Sequence, residues 1–169
     1  EATLDEIRSR IETWATVHAD APWVLGRGWY YQPFPGGLPT RQQLDAIVSD
    51  RPVHLLSHDG HTSWVNSRAL RLAGITKRTP NPPHGVIVKD PNTGEPTGVL
   101  KEAAMTLVTS RLPQATRTDR ASALRAAISE AQRNGITSIQ NAGGDAEDFA
   151  LYAEARREGR EQRGMQVDE

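Results

Sequence analysis

Proline and glycine are distributed unevenly along this chain, and that distribution limits its possible folds more than any other feature. There are 11 prolines and 14 glycines, many of them between residues 22 and 98, where neither a long helix nor a long uninterrupted strand can persist. The middle of the chain is therefore expected to be short strands and turns, flanked by helical ends. With 169 residues, the chain is long enough for one ordinary domain with a core.

Apolar spacing supplies the elements. Leu4, Ile7, Ile11, Trp14 and Val17 recur every three or four residues, which predicts an amphipathic helix from Thr3 to about Ala19. Thr3 and Glu6 have the spacing of a capping box. Trp23–Tyr31 reads as a strand relaxed by two glycines, Pro33–Pro39 as loop, and Thr40 as the cap of a short helix to about Ser49. Pro52–His58 reads as a buried strand closed by a turn at Asp59-Gly60. Trp64, Val65, Ala69, Leu70, Leu72 and Ala73 are helix-spaced, with Gly74 as a left-handed C-cap. Gly85–Asp90 and Thr97–Leu100 flank a turn sequence, which predicts a hairpin. Helices are expected over Glu102–Ser110, Asp119–Asn134 and Asp145–Glu158, with a short strand at Ile136–Gln140 before the last. Helix, glycine, strand, loop, helix is the order of an α/β layer with parallel strands.

Composition excludes several functions. Twenty Lys and Arg balance 21 Asp and Glu and are dispersed, so no basic face marks a nucleic-acid partner. The sequence has no cysteine, which removes disulfides, thiolate metal sites and a cysteine nucleophile. No apolar run reaches the roughly 20 residues of a membrane span. The compartment is open, with the cytoplasm slightly favoured. The chain opens with Glu1 inside a helical pattern and closes on a polar run, so it is expected to be an internal piece of a longer protein.

Few residues are placed to carry chemistry. His54, His58 and His61 lie close together with Asp59 among them, although their spacing is not that of a recognised zinc motif; His54 reads better as a core histidine. Asp59-Gly60-His61 is the more informative unit, because a strand ending in a glycine turn aims the next side chain past the sheet edge. His61 can then act as a proton donor or hydrogen-bond the substrate. Alternatively, Asp59 and His61 only organise the turn and cap the following helix. Glu102 stands at an expected helix start, which favours a carboxylate in any case. Lys101 is taken as solvent-facing. Asn141-Ala-Gly-Gly144 can offer amides to an anion or simply connect strand to helix. No serine sits in a nucleophile elbow.

Ordered blocks along the chain are more specific than any single residue: Gly26-x-Gly28-Trp29, Leu38-Pro-Thr-Arg41, Asp59-Gly-His61 with Trp64-Val-Asn-Ser67, Ala73-Gly-Ile75, Gly94-x-Pro96-Thr-Gly98 with Leu100 and Glu102, and Gly135-Ile-Thr-Ser138. In these the chain resembles amidohydrolase family 3, the group that includes N-substituted formamide deformylase, over nearly its whole length. His84 stands where relatives often have glycine, and Asn141-Ala142 where an acidic-Ala step is more usual.

The resemblance implies an α/β fold, part of a metal-dependent hydrolase (β/α)8 barrel with a long α+β insertion between its first and second strands. Residues 1–22 would hold the first barrel helix, 23–113 the insertion, and 114–169 the second strand with its flanking helices. It implies hydrolysis of a non-peptide C–N bond, in an amide or formamide, by a water activated on a divalent metal, zinc by expectation. The main metal ligands would lie outside this chain, which alone would be inactive and would bind no metal tightly. Carried over by position, His61 and Asp59 are the catalytic candidates, His61 and Trp64 the substrate-binding candidates, and Glu102 a candidate metal ligand. The expected partner is a small-molecule substrate, with homo-oligomerisation possible. The rival readings are a non-catalytic binding or lid module and a metal-free α/β hydrolase using Asp59 and His61.

Overall fold

Thr3 starts the first helix by accepting a hydrogen bond from the Glu6 amide while the Glu6 carboxylate returns one from the Thr3 amide, the expected capping box. The computed structural model describes residues 3–141 and 143–161. It divides into two compact units, Glu1–Leu112 and Pro113–Glu169.

In the first unit, helix α1 (Leu4–Val17) buries Ile7, Ile11 and Ala15. Strand β1 (Val24–Trp29) is followed by a 3-10 turn at Pro35–Gly37 and helix α2 (Arg41–Asp45), capped by Thr40. Strands β2 (Val53–Ser57) and β3 (Thr62–Val65) enclose the Asp59-Gly60 turn, and helix α3 (Ser67–Leu72) follows. Strands β4 (Gly85–Lys89) and β5 (Pro96–Glu102) form the expected hairpin, followed by a 3-10 turn at Ala103–Met105 and helix α4 (Thr106–Thr109).

The five strands form one sheet in the order β1-β2-β3-β5-β4. Only β1 and β2 run parallel; the other three pairings are antiparallel. The sheet is thus mixed. Each element buries one apolar side, giving two clusters: Ile7, Ile11, Val24, Trp29, Phe34, Leu44 and Trp64 in one, and Val65, Leu70, Ile75, Ile87, Leu100 and Val108 in the other. Trp64 and Val65 fall in different clusters because successive side chains on a strand face opposite ways.

Here the structure corrects the helical assignment of Trp64 and Val65. A short apolar run fits both periods, and pairing of Leu55 with Trp64 and of Trp64 with Val99 settles it as a central strand. The helix begins only after Asn66, whose side chain accepts from the Ala69 amide. Glu102 both ends β5 and stands at the N-cap of the 3-10 turn Ala103–Met105, which leads into α4, so the expected helix over Glu102–Ser110 is present as a shorter, two-part segment.

Two close approaches fix the hairpin. A Cβ at Gly98 would lie 2.5 Å from the Val65 carbonyl oxygen, with φ at +99°, and one at Gly85 would lie 2.3 Å from the Ala104 amide nitrogen. Only glycine is accommodated at these positions.

Asn66 joins the layers from a fully buried position. Its Oδ1 accepts from the amides of Val53 (3.0 Å) and Ala69 (2.9 Å), and its Nδ2 donates to the carbonyls of Val48 (3.0 Å) and Arg51 (2.9 Å). Arg51 in turn donates to the His18 carbonyl at 2.9 Å and to the carbonyls of Ala15 and Ala19. Helix α1 has no basic residue in its last turn, and the Arg51 guanidinium supplies the missing cation.

In the second unit, helices α5 (Arg117–Arg133) and α6 (Ala146–Glu161) are tied by Arg117–Glu154 and Arg120–Asp148, each at 2.6 Å. Helix α6 continues through Gly159, where a stop is expected from sequence. The predicted strand at Ile136–Gln140 is not formed. A strand is held by its neighbours, and none is present in this unit among the described residues; Ile136 and Ile139 stand 49% and 67% exposed.

Candidate functional site

The register between β3 and β5 determines what meets at their ends. Thr62 pairs with Lys101, so the residues just beyond, His61 and Glu102, face each other, and the Glu102 amide donates to the His61 carbonyl at 3.1 Å. Their side chains also meet: His61 Nδ1 lies 3.2 Å from each of the two Glu102 carboxylate oxygens. Both are largely exposed, with side chains 64% and 56% accessible. The carboxylate, first through its hydrogen bond and then through its charge, raises the His61 pKa above its ordinary value.

A network behind His61 holds it in place. Asp59 Oδ1 accepts from Ser57 Oγ (2.5 Å) and from the His61 amide (3.1 Å), and Asp59 Oδ2 accepts from Tyr31 Oη (3.1 Å). Tyr31 Oη is also 2.7 Å from Thr62 Oγ1. With its one proton given to Asp59, Tyr31 accepts there from the threonine. Ser57 Oγ further accepts from the Thr62 amide at 3.0 Å. The Ser57 and His61 hydrogen bonds dominate in holding the Asp59 pKa down to about 2. Asp59 is thus ionised at any ordinary pH and its oxygens are engaged, so its geometry suits fixing the turn rather than carrying protons.

Glu102 has an unusual backbone, with φ 51° and ψ −129°. His84, whose carbonyl accepts from the Ala103 amide, also has positive φ, 57°. These are the two non-glycine residues with positive φ among the described residues, and they lie beside each other at the start of the β4–β5 ladder, where Gly85 pairs with Glu102. A glycine at position 84 would relieve the strain there.

His61 thus presents a carboxylate-oriented imidazole. With Nδ1 turned to Glu102, Nε2 is directed away from the pair and has no hydrogen-bond partner among the described residues. Such an imidazole can take up or release a proton, or donate to a substrate oxygen.

The other expected site residues are placed elsewhere. Trp64 is fully buried, packs edge-on to Trp29 and Phe34, and donates from Nε1 to the Thr40 carbonyl at 2.8 Å. It offers no surface to a substrate and instead supports the strand that carries His61. The three histidines diverge: His54 is buried and bonded to Ser63 Oγ at 2.8 Å, His58 lies against the Tyr30 ring, and His61 faces Glu102. Burial lowers the His54 pKa. Lys101 is half-buried rather than fully solvent-facing. Tyr31, Ser57 and Thr62 complete the site although the sequence gives no sign of them.

No group of three or more His, Cys, Asp or Glu side chains converges among the described residues. Glu102 has one imidazole beside it and Asp59 is occupied by hydroxyls and an amide, so the described residues do not by themselves make up a metal site. No helix among the described residues is long and apolar enough to cross a membrane.

Comparison with known proteins places this geometry in a wider setting. The amidohydrolase family model matches residues 1–164. The chain is 41% identical over 134 residues to a putative amidohydrolase, YtcJ, of Bacillus subtilis, covering 78% of this chain and 24% of that protein. It is 35% identical to the Arabidopsis thaliana protein LONG AFTER FAR-RED 3, covering 80% and 25%. To the N-substituted formamide deformylase of Arthrobacter pascens it is 37% identical, covering 64% and 20%. The chain therefore spans about a quarter of the length of the curated relatives it matches. In structure it is similar to an uncharacterized metal-dependent hydrolase from Pyrococcus furiosus, with TM-score 0.54 and 23% identity over 94% of this chain and 30% of that one.

Proposed function

Because this chain belongs to the amidohydrolase family, we propose that the full-length protein is a metal-dependent hydrolase of non-peptide C–N bonds, in amides or formamides. The observation that carries this chain's part is the His61–Glu102 contact at 3.2 Å, with His61 held by the Asp59 turn. In this proposal His61 binds or protonates the substrate through Nε2, Glu102 orients and charges it, and Asp59 positions its backbone. Trp64 supports the strand from within the core.

The metal, zinc by preference, is assigned to residues outside these 169, and Glu102 is assigned to His61 rather than to the ion. We further assign residues 1–22 to the first helix of a (β/α)8 barrel, 23–113 to an insertion, and 114–169 to the second barrel strand and its helices. Barrel strands supplied by the rest of the protein would give Ile136–Gln140 the neighbours it lacks here.

The test is to incubate the full-length protein with a panel of N-substituted formamides and simple amides and follow amine release. Hydrolysis that a chelator abolishes and zinc restores is the expected result. A metal-loaded protein that hydrolyses none of them would assign the chain to a binding or lid role instead.

A further inference from the structure

Away from His61, four segments line an open groove of about 700 Å³: the start of α2, the end of α3, the loop after it, and the β4–β5 turn. Its charged side chains are Arg41, Arg71, Lys77, Arg78 and Glu95. Four cations thus face one carboxylate. Glu95 lies 4.0 Å from Arg41, and the side chains of Arg71, Lys77 and Arg78 have no acidic partner among the described residues. The end of α3 accounts for a cation at Arg71, but Lys77 and Arg78 lie beyond the helix and have no such explanation.

The groove is shaped in advance. Lys89 Nζ donates to the carbonyls of Lys77 (2.9 Å) and Thr79 (2.7 Å), fixing the loop and adding a further positive charge behind it. The Thr76 amide donates to Thr79 Oγ1 at 2.9 Å, closing the same loop. Buried Leu70 and Ile75 line the groove with them. The Ser67 hydroxyl is committed to Asp45 Oδ2 at 2.5 Å, so recognition here is chiefly ionic. Arginine forks grip oxyanions in pairs of hydrogen bonds, and a volume of this size suits a small molecule rather than a polypeptide surface.

We propose that this groove binds a small multivalent oxyanion, a phosphate- or carboxylate-bearing ligand with at least two negative charges, at a site separate from His61. Binding relieves the repulsion among the unpaired cations and is weakened by salt.

The experiment is calorimetric titration of the full-length protein with pyrophosphate, and separately with citrate, in low-chloride buffer. Saturable binding at one site is expected, roughly tenfold or more weaker when Arg71→Ala and Arg78→Ala are combined, and weaker as salt rises. Lys77→Gln, an exposed loop change, should also weaken it while leaving thermal unfolding unchanged, which covers the case of a double variant that folds poorly. Absence of saturable binding to either probe, equal affinity in the folded variants, or binding only to an acidic peptide would overturn the proposal.

Discussion

The imidazole of His61 lies 3.2 Å from the carboxylate of Glu102, a residue 41 positions later in the sequence. An exposed pair of this kind adds little to stability, so its consequence is chemical: it fixes which ring nitrogen faces outward and retains the proton to higher pH. The raised pKa means that the pair's contribution is complete below the ordinary histidine value of 6.5 and is lost as pH rises through the elevated one. A proton NMR titration should therefore place the His61 midpoint above 6.5, and Glu102→Gln should move it back down. An unchanged midpoint in Glu102→Gln would show that the carboxylate does not govern His61.

Glu102 holds its position at a cost. A non-glycine residue at φ 51° and ψ −129° carries strain of about 1–3 kcal/mol. Glu102→Gly should raise stability by roughly 1 kcal/mol in a denaturant melt while lowering activity. His84→Gly, at φ 57°, should stabilise by a similar amount, with activity retained. Destabilisation by both changes would show that these conformations are not strained.

Asn66 satisfies four backbone groups at once, three of them in buried hydrogen bonds. Asn66→Ala leaves them without partners and should cost roughly 3 kcal/mol or more, read as a lower denaturation midpoint at unchanged slope. A loss below about 1 kcal/mol would mean that water replaces the side chain.

Arg51 bonds to the end of α1 from a distant part of the sequence, with its side chain 12% exposed. Arg51→Ala should destabilise by about 2 kcal/mol, with increased amide exchange concentrated in the last turn of α1. Exchange unchanged in that turn would separate Arg51 from helix capping.

Local signals in the sequence predict local structure well. The Thr3–Glu6 box, the cap at Thr40, the left-handed Gly74 and the β4–β5 hairpin each depend on residues close in sequence, and each is present. What required the tertiary structure was pairing over distance. Trp64 and Val65 fit a helix or a strand until β2 and β5 lie on either side of them. The Asp59 turn was legible, whereas its partner Tyr31 comes from a loop 28 residues away, and the Glu102–His61 contact depends on a strand register that no local spacing encodes. Asn66 falls inside the helix expected from Trp64 onward, and its role as the cap of α3 and its bonds to Val48, Arg51 and Val53 emerge only with the strand pairing. Ile136–Gln140 shows the reverse, a strand-like sequence that needs neighbours to become a strand.

The most direct test of the central claim is the kcat/KM of the full-length protein for an N-substituted formamide or amide that it hydrolyses, compared with His61→Ala across pH. Loss of about 100-fold, together with loss of an ionisation above 6.5 and an unchanged melting temperature, is the result expected of an imidazole that acts on the substrate. Turnover and pH profile both unchanged in His61→Ala would contradict it and remove this pair from the active site.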